Sequence, residues 1–184
     1  CIRDRITSSG GAVTVSGYAG GTNSNSASGL NFGVNIAGGA QISTTGSGTS
    51  VNITGTGGGG DSASTNYGMQ ILGCSTLSNV TITTNGGPIT LNATEGIGSS
   101  TRGIVTSSSA VIGNATNPGN ITVLTNSAAF SSATGAAINA AGSFLIAPIT
   151  PGTPVILGCT TDIRGELRLS AAELNTLSAG TIQI

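Results

Sequence analysis

Apolar triplets with a polar residue at their centre recur along the chain: Val13-Thr14-Val15, Val51-Asn52-Ile53, Ile89-Thr90-Leu91 and Ile121-Thr122-Val123. Period-two spacing of β-branched residues, bounded by Gly, Asn and Ser, predicts short strands with one buried face. Nothing before the C-terminal region has a 3.6-residue period, so stacked helical repeats are excluded. Propeller blades would need longer strands and more aromatic residues.

The strands belong to a repeat. Residues 13–36 and 51–71 follow one order: an alternating segment, a Gly/Ser/Asn stretch, Asn-aromatic-Gly, then a second short apolar run. Gly33, Gly68, Gly103 and Gly135 each open such a run and lie 35, 35 and 32 residues apart. Nine positions after them stand Ile42, Leu77, Ile112 and Phe144. ITSSGGAVTVSG (6–17) aligns without gaps to ITTNGGPITLNA (82–93), and ILGCST (71–76) returns as ILGCTT (156–161).

A unit of about 35 residues with several short strands predicts an all-β fold, a parallel β-solenoid. Each strand stacks on its equivalent about 4.8 Å away, with Val, Ile and Leu forming a narrow core. Gly and Asn serve the tight corners, where positive φ is required. Two coils per repeat would give roughly ten coils and about 45–50 Å of length. Phe32 and Tyr67, at equivalent positions, are expected to stack on each other. Stacked Asn and Thr are expected to form side-chain ladders.

Residues 1–146 form the repeat region. Three prolines in residues 147–154 (APITPGTP) interrupt it, because Pro cannot sit in a central strand. Residues 155–184 are read as a C-terminal coil or cap that continues the solenoid. There, DIRGELRL (162–169) predicts a strand with a charged outer face of Asp162, Arg164, Glu166 and Arg168, with Arg164 as the partner of both acids. Ser170 and Glu173 have capping-box spacing. They predict a short helix with Leu174 and Leu177 on one face and Gly180 at its stop. TIQI (181–184) resumes a strand.

Only 6% of residues are charged and 3% aromatic, against a usual charged fraction of about a quarter. The formal charge is −1, with five scattered arginines and no Lys or His. This excludes the basic stripe that nucleic acid or anionic lipid requires. No apolar run approaches the roughly 20 residues of a transmembrane helix.

The chemistry-bearing residues are sparse. The acids are Asp4, Asp61, Glu95, Asp162, Glu166 and Glu173, too scattered for a general acid/base pair, and the chain is not read as an enzyme. GGGGD (57–61) offers one carboxylate where calcium needs several oxygens. Neither a cofactor nor a metal is expected. Cys1, Cys74 and Cys159 lack C-x-x-C spacing. As an odd number they point to an intersubunit disulfide from Cys1 to Cys74 or Cys159 of a neighbour, or to buried thiols. Five N-x-S/T sites, at Asn52, Asn79, Asn92, Asn114 and Asn120, are what Asn- and Thr-rich strands produce by chance. The chain opens at Cys1 and is read as a processed product or a piece of something longer.

VNITGTGGGGDSASTNYGMQI, ITTNGGPITLNA and above all LRLSAAELNTLSAGTIQI resemble very large bacterial surface proteins of the filamentous-haemagglutinin type, also seen as β-strand-repeat proteins. The looser motifs cover nearly the whole chain. The resemblance implies a right-handed β-helix, export to the cell surface, and a role in adhesion or extracellular structure. It carries over no catalytic residues. The expected partners are other copies stacked end to end, or flanking repeats of the same polypeptide. A carbohydrate-binding module, contacting surface glycans through loops 18–31 or 57–67, is the alternative. A polysaccharide-degrading β-helix enzyme and a Thr-based ice-binding face stand behind it.

Overall fold

The computed structural model describes residues 4–20, 30–59, 65–73, 79–98, 100–107, 109–116, 119–131, 137–159, 163 and 165–184. It is nearly all β, with 59% strand and 3% helix. Three strands come first along the chain: β1 (Arg5–Ser8), β2 (Val13–Tyr18) and β3 (Val34–Ala37). The next three are β4 (Gln41–Ser47), β5 (Val51–Thr56) and β6 (Tyr67–Leu72). Then come β7 (Val80–Asn85), β8 (Ile89–Thr94) and β9 (Arg102–Thr106). β10 (Ala110–Asn114), β11 (Ile121–Thr125) and β12 (Ala128–Phe130) follow. The C-terminal part holds β13 (Ala137–Ala147), β14 (Val155–Leu157), β15 (Leu167–Leu169), α1 (Ala171–Leu174) and β16 (Leu177–Gln183).

Each strand of the first nine pairs with the strand three further along, always parallel. Three ladders result. The first runs β1-β4-β7-β10, the second β2-β5-β8-β11, and the third β3-β6-β9-β12. The long β13 joins the first two: its N-terminal half pairs with β10 and its C-terminal half with β11. β16 then lies along both halves of β13, with a register shift between Ala140 and Ser143. The main sheet is parallel and nearly closes on itself.

Alternation turns this register into a core. Ile6, Ile42, Ile82, Ile112, Ile138 and Leu177 are direct neighbours in the first ladder. Val13, Val51, Ile89, Ile121, Phe144 and Ile182 line up in the second. Val34, Met69, Ile104 and Ala128 line up in the third. The interior members are fully buried, and most outward positions between them are Thr, Ser, Asn or Gln, with Val105, Val111, Leu124 and Leu145 as apolar exceptions.

The expectation of two coils per repeat is not met. Arg5 stands opposite Gln41, 36 residues on, so each unit advances each ladder by one rung. Three strands and their corners use up the whole unit. The first ladder with β13 and β16 has six strands, which span roughly 25–30 Å rather than 45–50 Å.

The nine-residue offset also fails in part. Ile42 and Ile112 do share a column, but Ile82 stands between them, because the link from β6 to β7 is longer than its counterparts. Leu77 lies outside the described residues, and Phe144 belongs to the second ladder. The alignment of 6–17 with 82–93 does superpose: Ile6 and Ile82 share one column, Val13 and Ile89 another, two rungs apart.

Near the C-terminus the expected strand over 162–169 is only Leu167–Leu169, preceded by a turn in which Gly165 has φ of 82°. The helix stops at Leu174, with Asn175 as its C-cap. Leu177 and Gly180 therefore belong to β16. The prolines of 147–154 fall at and after the end of β13, around a turn with Gly152 at φ 84°.

Candidate functional site

The Asn-aromatic-Gly segment occupies one place in three successive units. Residues 31–33, 66–68 and 101–103 (Asn-Phe-Gly, Asn-Tyr-Gly and Thr-Arg-Gly) lead into β3, β6 and β9 in register. Each position has its own physical task. Asn31 Nδ2 donates to Asn66 Oδ1 at 2.9 Å, and Asn66 Nδ2 donates onward to the Ile97 carbonyl. Phe32 and Tyr67 stack with centroids 5.4 Å apart and planes 20° apart, and Arg102 follows Tyr67 in register. The glycines lie where the second and third ladders meet. A Cβ on Gly68 would stand 2.5 Å from the Thr94 carbonyl oxygen and 2.8 Å from that of Gly103.

Asn66 is fully buried, so its amide has no water to fall back on. Replacing it by Ala removes its bonds to half-buried Asn31 and to the carbonyl of exposed Ile97. The expected loss is about 1–3 kcal/mol in urea unfolding, the net contribution of two hydrogen bonds at about 0.5–1.5 kcal/mol each. Asn66→Asp should cost more than Asn66→Ala, since it puts a carboxylate against a carbonyl.

The outward side of the first ladder carries a polar groove of about 440 Å³. Arg5 Nη2 donates to Gln41 Oε1 at 2.7 Å, Thr7 and Ser43 share a hydrogen bond of 3.1 Å, and Asn85 Nδ2 donates to the Thr45 carbonyl at 2.9 Å. Thr81 and Thr83 also line it, and among the described residues no carboxylate does. A second hollow, of about 370 Å³, opens at the β1–β3 end of the core between Ile6, Val15, Val34 and Ile36.

No protein-family model, curated protein or solved structure matches the chain.

Among the described acids, Glu95 accepts from Ser127 Oγ, which itself accepts from the Gly103 amide at 2.8 Å. Glu166 pairs with Arg168 at 2.6 Å. Asp162 and Arg164, expected in the same charged strand, lie outside the described residues, as does Asp61. Glu173 closes the capping box with Ser170, whose Oγ accepts from the Glu173 amide. Glu173 Oε1 also accepts the Phe130 N–H at 3.0 Å, so the helix covers an otherwise free donor on β12. These carboxylates serve structural bonds, and no three potential metal ligands cluster among the described residues.

Cys159 is half-buried with a free thiol; Cys1 and Cys74 lie outside the described residues, and with them the disulfide expectation. Most of the two loops expected to touch glycans, residues 21–29 and 60–64, also lies outside. Asn52 with Thr54, and Asn92 with Thr94, sit on outward positions of β5 and β8. An N-x-T pattern is thus a by-product of strand alternation. No helix of the described residues is long and apolar enough to cross a membrane.

One feature escaped sequence reasoning. Gly17 and Gly55 are neighbours in the second ladder and abut Gly33 and Gly68 of the third. The 38-residue spacing of this column differs from that of the Gly33 series, and Ala93 and Thr125 continue it, so no common glycine period marks it.

Proposed function

We propose that the chain is a right-handed parallel β-solenoid with one coil per repeat. It serves as an extracellular structural element, a subunit of a surface filament or a segment of a large bacterial adhesin. The observation that carries this reading is the unbroken column Ile6-Ile42-Ile82-Ile112-Ile138-Leu177, in which one position of each unit stacks on the next. Right-handed passage between parallel strands is the strongly preferred sense. The outward faces are mostly polar and almost uncharged, and the described carboxylates other than Asp4 are engaged in structural bonds. Such a body does mechanical work: it sets distance and presents a surface.

A carbohydrate-binding role is the second reading, favoured by the groove over Arg5, Gln41, Thr81 and Thr83. Screening the purified protein on a glycan array, beside antibody labelling of intact source cells, separates the two. The structural reading predicts surface labelling without binding to any glycan class. Saturable glycan binding that Arg5→Ala together with Gln41→Ala removes would replace it with the carbohydrate-binding reading. Labelling confined to the cell interior would overturn both.

A further inference from the structure

Of the five Asn-x-Thr tripeptides, at Asn52, Asn79, Asn92, Asn114 and Asn120, the fold treats one differently. Asn52 with Thr54, and Asn92 with Thr94, lie wholly inside β5 and β8. In a strand, residues two apart are separated by about 6.5–7 Å, so the Thr hydroxyl does not reach the Asn amide. Asn52 Nδ2 instead donates to Ser50 Oγ at 3.1 Å. Asn79 and Asn120 immediately precede β7 and β11, and the middle residues of their tripeptides, Val80 and Ile121, are buried in the core. Asn120 Oδ1 accepts the Ser143 N–H at 2.9 Å. These four tripeptides are held in, or against, the sheet.

Residues 114–116 leave the sheet. β10 ends at Asn114, and Ala115 and Thr116 form an exposed turn. The turn brings the two polar side chains together: Asn114 Oδ1 accepts the Thr116 N–H at 2.9 Å and the Thr116 hydroxyl at 2.8 Å. Two donors on Oδ1 draw charge toward the oxygen, which makes a proton on Nδ2 easier to remove. Nδ2 itself donates to no group among the described residues. Asn114 also lines the polar groove of about 440 Å³, so open space lies beside it. We infer that Asn114 is the acceptor of an N-linked sugar. In the transfer, a base of the transferase takes a proton from Nδ2, and the nitrogen bonds to the anomeric carbon of a sugar diphosphate, nucleotide- or lipid-linked. The bond from that carbon to the diphosphate oxygen breaks, and the diphosphate leaves with the electron pair. The inference goes beyond both readings above and depends on neither.

Peptide mapping by mass spectrometry, on protein isolated from its source cells, gives the test. The expected result is a sugar on Asn114 with Asn52 and Asn92 bare. A single added sugar marks a nucleotide-linked donor, and a preassembled oligosaccharide marks a lipid-linked one. Expressed in the same cells, Asn114→Gln and Thr116→Ala should lose the sugar at this position. Thr116→Ser keeps the hydroxyl donor and should retain most of it. All three changes fall in or beside an exposed turn, and melting temperatures equal to the parent's show that the fold is kept. A bare Asn114 in protein from the source cells overturns the inference, as does full occupancy in Thr116→Ala. Equal occupancy of Asn52, Asn92 and Asn114 overturns it too, because the turn would then not select the site.

Discussion

Gly68→Val is expected to destabilise the protein by about 3 kcal/mol or more, at the upper end of what overpacking costs. The reason is local. The added Cβ alone would approach the Thr94 carbonyl oxygen to 2.5 Å, and the Thr94 amide nitrogen and Gly103 carbonyl oxygen to 2.8 Å. All three are backbone atoms held in ladders on both sides, so none can turn aside like the end of a long side chain. Relief would require the second and third ladders to move apart, opening the core at Met69, Ile71 and Leu91. Gly10→Ala supplies the comparison, since a Cβ there meets nothing within 4 Å. It should fall within about 0.5 kcal/mol of the parent, as surface changes usually do. Urea unfolding of both variants checks the claim; equal stabilities would mean that the ladders do not meet at these glycines.

The second large effect is expected at Phe144. This residue is fully buried in β13, between Ile121 of β11 and Ile182 of β16. Phe144→Ala should cost about 3–5 kcal/mol, from lost burial and from a cavity that rigid neighbouring strands cannot fill. Phe144→Leu should recover more than half of that. Because typical domains are stable by only about 5–15 kcal/mol, the alanine variant sits near the unfolding threshold. Thermal melts followed by circular dichroism separate these outcomes. A Phe144→Ala protein as stable as the parent would show that β13 does not carry the core across the junction of the first two ladders.

Much of this arrangement was legible because a strand's period of two leaves its mark on β-branched residues. Val13-Thr14-Val15, Val51-Asn52-Ile53, Ile89-Thr90-Leu91 and Ile121-Thr122-Val123 lie in β2, β5, β8 and β11, and the structure stacks them in the order of the chain. The glycine spacing of 35 was equally readable, since only Gly tolerates the approach of another backbone at residues 33, 68 and 103. The number of rungs was not. Strands of three to seven residues separated by corners look alike in sequence, and nothing local says that each pairs with the strand three further along.

Stacked Asn and Thr were expected, but not which residues share a column. Thr14, Asn52, Thr90 and Thr122 share one outward position, where exposure lets Thr and Asn replace each other freely. The Asn31–Asn66 bond was visible only as the first letter of a motif, and its burial came from the turn that carries it. At the C-terminus Ser170 and Glu173 marked the helix start, but its end was misread. Pairing with β13 draws Leu177–Gln183 into a strand and overrides the helical spacing of Leu174 and Leu177.

The most direct test of the stacked arrangement is a set of distances along the first ladder. Thr7, Thr83, Asn139 and Ser178 occupy the first, third, fifth and sixth places of one outward column. Spin labels on cysteines at Thr7 and each of the others, with the native cysteines replaced and the sample diluted in unlabelled protein, report their separations by pulsed electron resonance. A stack predicts steady growth with rung number, to about 10, 19 and 24 Å between backbones. A separation that stops growing between Asn139 and Ser178, as on a sheet curled into a closed barrel, would contradict it.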